Sequence, residues 1–153
     1  MKTFLWLLLV SFCPVALSAL VYLLGRTKFA SRIPSAAKQI VIGILFGGLA
    51  ILGTEFGVKI DGAIINARDA SPICAGLFFG APAGIIAGVI GGVERWFAVL
   101  WGAGQYTRLA CSISTVLAGV FAAGLRKFMF DNKKPKWYYC LATATITEVI
   151  HML

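Results

Sequence analysis

Two arginines stand at the ends of a run of small and apolar residues that is otherwise typical of a membrane segment. Arg68 and Arg95 lie symmetrically about the sequence Gly80-Ala81-Pro82. Planar guanidinium groups make bidentate, charge-assisted hydrogen bonds to carboxylate and phosphate groups. Ionisable side chains inside a membrane are costly, so they are candidates for function. A pair of arginines in this setting predicts a site for a small anion, and we expect a carboxylate.

Other polar residues extend this candidate site. Cys111 and Ser114 begin a later helix from the same side of the membrane and, being three residues apart, share one helical face. Asn66 lies in the loop before Arg68 and can cap or close the site. In the structural alternative, each arginine pairs with the neighbouring Asp69 or Glu94 or extends towards the interface. The predicted ligand-binding residues are Arg68, Arg95, Cys111, Ser114 and Asn66.

The sequence contains no arrangement that predicts catalysis. Its one histidine, His151, is near the end, and it has no GxxxxGK[ST] phosphate-binding loop. The cysteines are dispersed in apolar stretches without a CxxC pair, which predicts neither a metal site nor a disulfide framework. We therefore expect no catalytic residues, no metal and no cofactor. The four cysteines are Cys13, Cys74, Cys111 and Cys140.

The composition is that of an integral membrane protein. Of 153 residues, 59% are hydrophobic and 13% are charged, whereas soluble domains carry about 25% charged residues. The mean hydropathy is +0.88. A net charge of +8 would suggest a nucleic-acid partner in a soluble protein, but here the basic residues gather in short loops, as membrane topology requires. The predicted fold is an all-α polytopic bundle of about six helical segments in the lipid bilayer.

The basic loops give an orientation. Residues 1–24 form a first span, which we interpret as retained, with a signal peptide cleaved near Ala19 as the alternative. Residues 25–38 form a basic loop on the cytoplasmic side, which places the N-terminus outside. A second span covers about Gln39 to Phe56, and a later one about Leu109 to Leu125. The loop after that span is again basic and therefore cytoplasmic.

Two cytoplasmic loops require an even number of crossings between them, so the block from residue 72 to residue 100 must enter and return. Gly80 suits the end of one helix, and Pro82 suits the first position of the next. The first arm, Pro72 to Gly80, is only about 13 Å long. Short segments broken by glycine and proline are tolerated only inside protein or along a cavity. The glycines at positions 80, 84, 88 and 92 predict close helix packing.

The final segment, residues 137–153, opens with the interfacial aromatic sequence WYY and has no capping signal at its end. We therefore expect the chain to be part of a longer protein. Glu55, Glu148 and His151 are interpreted as structural residues. Arg108, at the outer end of a helix, is interpreted as an interfacial charge or as a third cation at the mouth of the site.

Taken together, these motifs resemble the LytS-type five-transmembrane receptor region of bacterial sensor histidine kinases. The resemblance covers about residues 38–153, although the segment FAVLWGAGQYT is several residues longer than the family pattern. The motifs are an N-x-R loop, the turn AGLFFGAP, a G-x-x-x-G helix ending in Arg95, the helix start CSIST and the later EVIHM.

This resemblance implies a membrane sensory module upstream of a cytoplasmic kinase region, acting as a homodimer in the bacterial plasma membrane. Such systems are linked to the cell wall, autolysis or carboxylate metabolism, and some members are associated with sensing pyruvate. It also implies that Arg68, Arg95, Cys111 and Ser114 contribute to ligand recognition. The alternative function is that of a substrate-binding membrane subunit of a vitamin or metabolite importer, whose hairpin and outward-facing pocket look similar.

Overall fold

A computed structural model describes residues 2–25, 34–60, 63–65, 68–98, 100, 105 and 107–152. The prediction of an all-α fold is confirmed, with one short β-hairpin as an addition. The elements in chain order are α1 (Lys2–Gly25), α2 (Ser35–Glu55), β1 (Val58–Ile60), β2 (Ala63–Ile65), α3 (Ala70–Cys74) with a π-helical continuation (Ala75–Phe79), α4 (Ala81–Ala98), α5 (Arg108–Phe128) and α6 (Trp137–Met152).

The helix α4 is the centre of the bundle and packs against α2 on one side and α5 on the other. Fully buried alanines and a few large side chains fill the space between them. Small residues allow backbones to approach closely, which is the main source of helix association where lipid is the solvent. The core contains Phe46 and Ala50 of α2, Ile73 and Leu77 of the α3 arm, Ala83 and Ala87 of α4, and Ala118 and Ala122 of α5.

The predicted glycine contact is confirmed. A methyl group at Gly84 would lie 2.5 Å from the Cα atom of Gly76, and one at Gly92 would lie 2.8 Å from the carbonyl oxygen of Ser112. A methyl group at Gly119 of α5 would overlap the carbonyl oxygen of Gly84. The glycine face of α4 therefore holds α5 and the α3 arm at backbone contact.

The hairpin turns at Gly80, as the sequence predicts. The backbone there has a φ of 142°, a conformation that side chains other than glycine rarely adopt. The first arm runs from Ala70 to Phe79 rather than from Pro72 to Gly80, and its second half is π-helical. Pro82 lies in the first turn of α4, one residue after the helix begins at Ala81. Short π-helical segments are rare in proteins, and those that occur are often found at functional sites.

Arg126, in the last turn of α5, fastens the hairpin turn to the basic end of the bundle. Its Nη1 atom donates to the carbonyl oxygen of Leu77 at 2.6 Å, and its Nη2 atom donates to that of Asn132 at 3.1 Å. The carbonyl groups at the end of a helix lack partners within that helix. Arg126 supplies a hydrogen-bond donor to the carbonyl group of Leu77. Because Arg126 also contacts Asn132, the hairpin turn lies at the end of the bundle where the sequence predicts the cytoplasmic loop.

A loop is predicted after α2, but the structure has a two-stranded hairpin there. Val58 pairs with Ile65 and Ile60 with Ala63 in antiparallel register. Valine and isoleucine favour extended backbone. The sequence Asp-Gly between two short runs that contain these residues is a signal for a hairpin.

Two helices among the described residues are long and apolar enough to cross a membrane by length and composition. They are Ser35–Glu55 and Arg108–Phe128, each with 21 residues. They lie close to the predicted spans of residues 39–56 and 109–125. The N-terminal helix Lys2–Gly25 has 24 residues and agrees in position with the predicted first span. The number of crossings and the outer location of the N-terminus stay predictions.

Candidate functional site

Arg68 lies just before α3, and only 1% of its surface is exposed. The backbone can enter the bundle here because Gly53 of α2 faces it: a methyl group at Gly53 would lie 3.1 Å from the Cα atom of Arg68. The side chain then reaches α5, where its Nη2 atom donates to the carbonyl oxygen of Cys111 at 3.3 Å. Placing a guanidinium group in this interior is costly unless several polar groups surround it.

Those polar groups come from Thr115 and Asp69. The Nε atom of Arg68 donates to the hydroxyl oxygen of Thr115 at 2.7 Å and lies 3.4 Å from Oδ1 of Asp69. The Thr115 hydroxyl has a single proton, which lies between Oδ1 of Asp69 at 2.6 Å and the carbonyl oxygen of Cys111 at 2.9 Å. Thr115 is completely buried, and Asp69 is 1% exposed. The three side chains form one buried network that joins the α3 arm to α5.

Arg95 reaches the same helix from the other end of the hairpin. It lies in the last turn of α4, is completely buried, and donates from Nη2 to the hydroxyl oxygen of Thr107 at 3.1 Å. Thr107 immediately precedes α5 and is followed at intervals of four residues by Cys111 and Thr115, which places the three on one stripe. The structure therefore brings both arginines to one stripe of α5, where Arg95 contacts Thr107 and Arg68 contacts positions four and eight residues further along the chain.

The remaining predicted site residues are placed as follows. Ser114 is half-buried and donates to Oδ2 of Asp69 at 3.4 Å, so it borders the network. Cys111 is buried on the same stripe, and its carbonyl oxygen accepts one of the hydrogen bonds from Arg68. Asn66 lies outside the described residues. Whether any of these residues binds a ligand stays a prediction.

The structural alternative for the arginines describes part of what is seen. Arg68 does form an ion pair with its sequence neighbour Asp69. Glu94, the neighbour of Arg95, has both carboxylate oxygens buried and without a hydrogen bond in the described part of the chain. Its carboxyl group lies within electrostatic reach of Arg68 and Arg95 and near the Thr54 hydroxyl. The region thus combines two arginines with two carboxylates. Asp69 forms an ion pair with Arg68, and Glu94 lies near both arginines.

Arg108 is bound to α4 rather than to the network described above. Its Nε atom donates to the carbonyl oxygen of Trp96 at 2.8 Å, and its guanidinium carbon lies 4.0 Å from the centre of the Trp96 ring. A guanidinium group above an aromatic ring makes a favourable cation–π contact. The side chains of Glu148 and His151 lie outside the described part of the structure.

Sequence reasoning missed Thr115 and Thr107 as partners of the arginines, whereas it offered the pairing of Arg68 with Asp69 as the structural alternative. The signal was present, because Thr115 follows Cys111 by four residues in CSIST and therefore shares its face. The contact of Thr107 with Arg95 had no such signal, because it depends on how α4 and α5 meet. Among the described residues, no group of three or more His, Cys, Asp or Glu side chains is arranged to hold a metal ion.

Comparison with known proteins assigns the chain to a group of receptors. A family model described as the 5TMR of 5TMR-LYT matches residues 21–153. The described site residues Arg68, Arg95, Cys111 and Ser114 fall inside that range. No solved structure matches the chain significantly.

Curated relatives match over most of this chain. The sensor histidine kinase YpdA of Escherichia coli strain K12 is 26% identical over 119 residues, which are 78% of this chain and 20% of that protein. The sensor histidine kinase BtsS of the same strain is 29% identical over 111 residues, which are 72% of this chain and 19% of that protein. BtsS of Shigella flexneri matches to the same extent. The chain spans about a fifth of the length of these relatives.

Proposed function

Since the chain belongs to the family of LytS-type five-transmembrane receptor regions, we propose that it is the membrane sensory domain of a two-component sensor histidine kinase. In this proposal a small anion, namely a carboxylate, binds at the outer ends of α4 and α5. Catalysis of phosphoryl transfer belongs to a cytoplasmic kinase region of the full-length protein, which acts as a homodimer.

One observation carries the choice of ligand class. Two completely or nearly completely buried arginines, Arg68 and Arg95, approach one stripe of α5 from opposite ends of a single hairpin. Guanidinium groups held in a water-poor environment bind carboxylates through strong, directional hydrogen bonds. Thr107 and Ser114 add hydroxyl groups next to these cations. The arrangement favours a small monocarboxylate over a large or neutral ligand.

The same geometry supports a signalling mechanism. Arg68 precedes the irregular α3 arm, whereas Arg95 belongs to the regular helix α4. An anion that binds both side chains stabilises one packing of α3 against α4 and α5. A ligand shifts a conformational equilibrium only by its difference in affinity for the two states. The α3 arm is the element that changes, because it is short, partly π-helical and joined to α4 through Gly80.

The test is ligand-dependent thermal stabilisation of the purified protein in detergent. We expect pyruvate, used as the probe carboxylate, to raise the melting temperature, and its neutral amide to leave it unchanged. Arg68→Lys and Arg95→Lys keep the charge but remove the planar donors, so each should weaken pyruvate binding by about tenfold or more, in line with about 1.5–3 kcal/mol for hydrogen bonds to charged groups.

Arg108→Lys is the matched control. Arg108 is also an arginine near the outer end of α5, but it binds Trp96 and lies off the stripe. Its substitution should change pyruvate affinity by less than about threefold, as expected for a partly exposed charge outside the site. Equal losses in all three variants would show that general electrostatic attraction is responsible, and unchanged binding in Arg68→Lys and Arg95→Lys would reject the site.

The importer alternative now has less support. The curated relatives are named sensor histidine kinases, and nothing in the geometry favours transport over sensing. Within the proposal, a response to carboxylates is preferred to a response to the cell wall, because the paired arginines suit a small anion. Uptake of labelled pyruvate into vesicles that contain the protein would favour the importer function and contradict the sensory function.

A further inference from the structure

Two cysteines that are far apart in the sequence meet in the interior of the bundle. The Sγ atoms of Cys74 and Cys140 are 3.8 Å apart, although 66 residues separate them along the chain. Both side chains are buried, with 4% and 8% of their surface exposed. Cys74 is the last residue of α3, and Cys140 lies in the first turn of α6. The thiol pair therefore bridges the short hairpin arm and the last described helix.

The distance is in the range of a thiol contact and close to what a disulfide requires. The S–S bond is about 2.05 Å long, so the sulfur atoms must approach by about 1.8 Å, the difference between these lengths. The pair is also specific, because Cys13 is exposed on α1 and Cys111 is buried on α5 within the anion site. The hydroxyl group of Ser18, on α1, also faces the thiol of Cys74.

We propose that Cys74 and Cys140 form a reversible intramolecular disulfide and that the oxidant is a membrane-soluble quinone. Two S–H bonds break and one S–S bond forms. The two thiols lose two electrons and two protons, which the quinone takes up to become the hydroquinone. A dithiol reverses the reaction by thiol–disulfide exchange. An oxidant dissolved in the bilayer suits a thiol pair buried among apolar side chains.

The disulfide would fix α6 to the arm that carries the anion site. The helix α3 contains only five residues and begins directly after Asp69, so the site and the thiol pair lie about 7 Å apart along its axis. An oxidised pair would hold the arm in its present packing against α6. Formation of this disulfide requires only the geometry of the two thiols and does not depend on the proposed ligand.

The test counts thiols in the purified, full-length chain in lipid nanodiscs. The protein is reduced, exposed to a fully substituted short-chain benzoquinone that cannot arylate thiols, quenched with acid, denatured and labelled with a polyethylene glycol maleimide. The reduced chain has four thiols, so we expect four labels before oxidation, two after it, and four again after dithiothreitol. Peptide mass spectrometry of the oxidised wild-type protein should show Cys74 linked to Cys140.

Matched single substitutions identify the pair. Cys74→Ser and Cys140→Ser should each keep all three remaining thiols after oxidation, whereas Cys13→Ser and Cys111→Ser should still lose two. Retention of four labels by the wild-type protein after quinone would overturn the proposal. A linkage that involves Cys13 or Cys111, or a disulfide-linked dimer on a non-reducing gel, would also overturn it. Peptide mapping of the wild-type chain does not require any variant to fold.

Discussion

Thr115 is the side chain that makes the buried charges of Arg68 and Asp69 compatible with a membrane interior. It accepts a hydrogen bond from Arg68 and donates to Asp69 or to the carbonyl group of Cys111. A single hydroxyl group thus serves a cation, an anion and a helix carbonyl. Removing it leaves each of these groups with one partner fewer in a place where water cannot replace it.

We predict that Thr115→Val destabilises the protein by about 2–4 kcal/mol, because it leaves buried polar groups without a partner while the shape stays nearly the same. The measurement is the free energy of unfolding in mixed micelles during titration with sodium dodecyl sulfate. Thr145→Val is the control, since Thr145 of α6 is exposed and donates only to the carbonyl group of Leu141. An equal effect of the two substitutions would contradict the role of the network.

Glu94 places a negative charge beside the proposed anion site. Its carboxylate oxygens are buried, make no hydrogen bond within the described residues, and lie within electrostatic reach of both arginines. We predict that Glu94→Gln raises the affinity for pyruvate by about tenfold, because a like charge at short range in a partly buried site opposes the ligand by about 1–2 kcal/mol. Isothermal titration of the two proteins at the same ionic strength measures this change.

Glu55→Gln provides the comparison for Glu94. Glu55 ends α2 and is exposed, so solvent screens its charge and we expect less than a threefold change in affinity. An unchanged affinity in Glu94→Gln would mean that its charge does not act on the site.

At the scale of elements, the contact between α4 and α5 depends on glycine. Because Gly119 faces the backbone of Gly84 and Gly88, a methyl group at position 119 would force the helices apart. We predict that Gly119→Ala lowers the free energy of unfolding by about 1–3 kcal/mol, as overpacking does in close-packed interiors. Detergent unfolding of the purified variant measures it.

Gly124→Ala is a control within the same helix. Nothing lies within 4 Å of a methyl group at position 124, and alanine is favoured over glycine in helices by up to about 1 kcal/mol. This variant should therefore be as stable as the wild-type protein or slightly more stable. A loss of stability in Gly124→Ala equal to that in Gly119→Ala would show that helix propensity or lipid contact, not the contact with α4, sets the effect.

The α3 arm is the second element on which the site depends. It places Arg68 and Asp69 inside the bundle because it is short and because its π-helical second half ends at a turn that only glycine accommodates without strain. Arg126 then holds the end of the arm through the carbonyl group of Leu77. The arm is thus fixed at the turn by α5, and its other end carries the two buried charges.

At the scale of the whole molecule, the basic loops predict its orientation in the membrane. The loop between α5 and α6 contains Lys133, Lys134 and Lys136 and should be cytoplasmic. We predict that Lys133→Cys, in a chain whose own cysteines are replaced by serine, reacts with a membrane-impermeant maleimide only in inverted vesicles. Gln105 is exposed and precedes α5, at the other end of the bundle. Gln105→Cys in the same background should therefore react only in right-side-out vesicles. The reverse labelling pattern would place the proposed anion site on the cytoplasmic side and contradict the proposed orientation.

The family match covers most of the chain and indicates the kind of protein to which it belongs. The matched range, residues 21–153, includes the hairpin, both arginines and the last described helix. The curated relatives are about five times as long as the matched region. A sensory role agrees with the family match and with the curated relatives, which are named sensor histidine kinases.

The sequence by itself determined the membrane class, the helical segments and the turn of the hairpin. These features depend on local composition: apolar length sets a span, and glycine followed by proline sets the bend. The symmetry of Arg68 and Arg95 about that bend also predicted that they converge, because a hairpin must bring its ends together. The short β-hairpin was missed although its Asp-Gly signal is local.

Only the tertiary structure decided which residues of α5 are partners of the buried arginines. Thr107 and Thr115 become partners of the two arginines through the rotation of α5 against α4, which the glycine contacts fix. The meeting of Cys74 and Cys140 likewise depends on how α6 packs against the α3 arm. Contacts between residues distant in sequence depend on helix rotation and depth, and neither is encoded in the periodicity of a single segment.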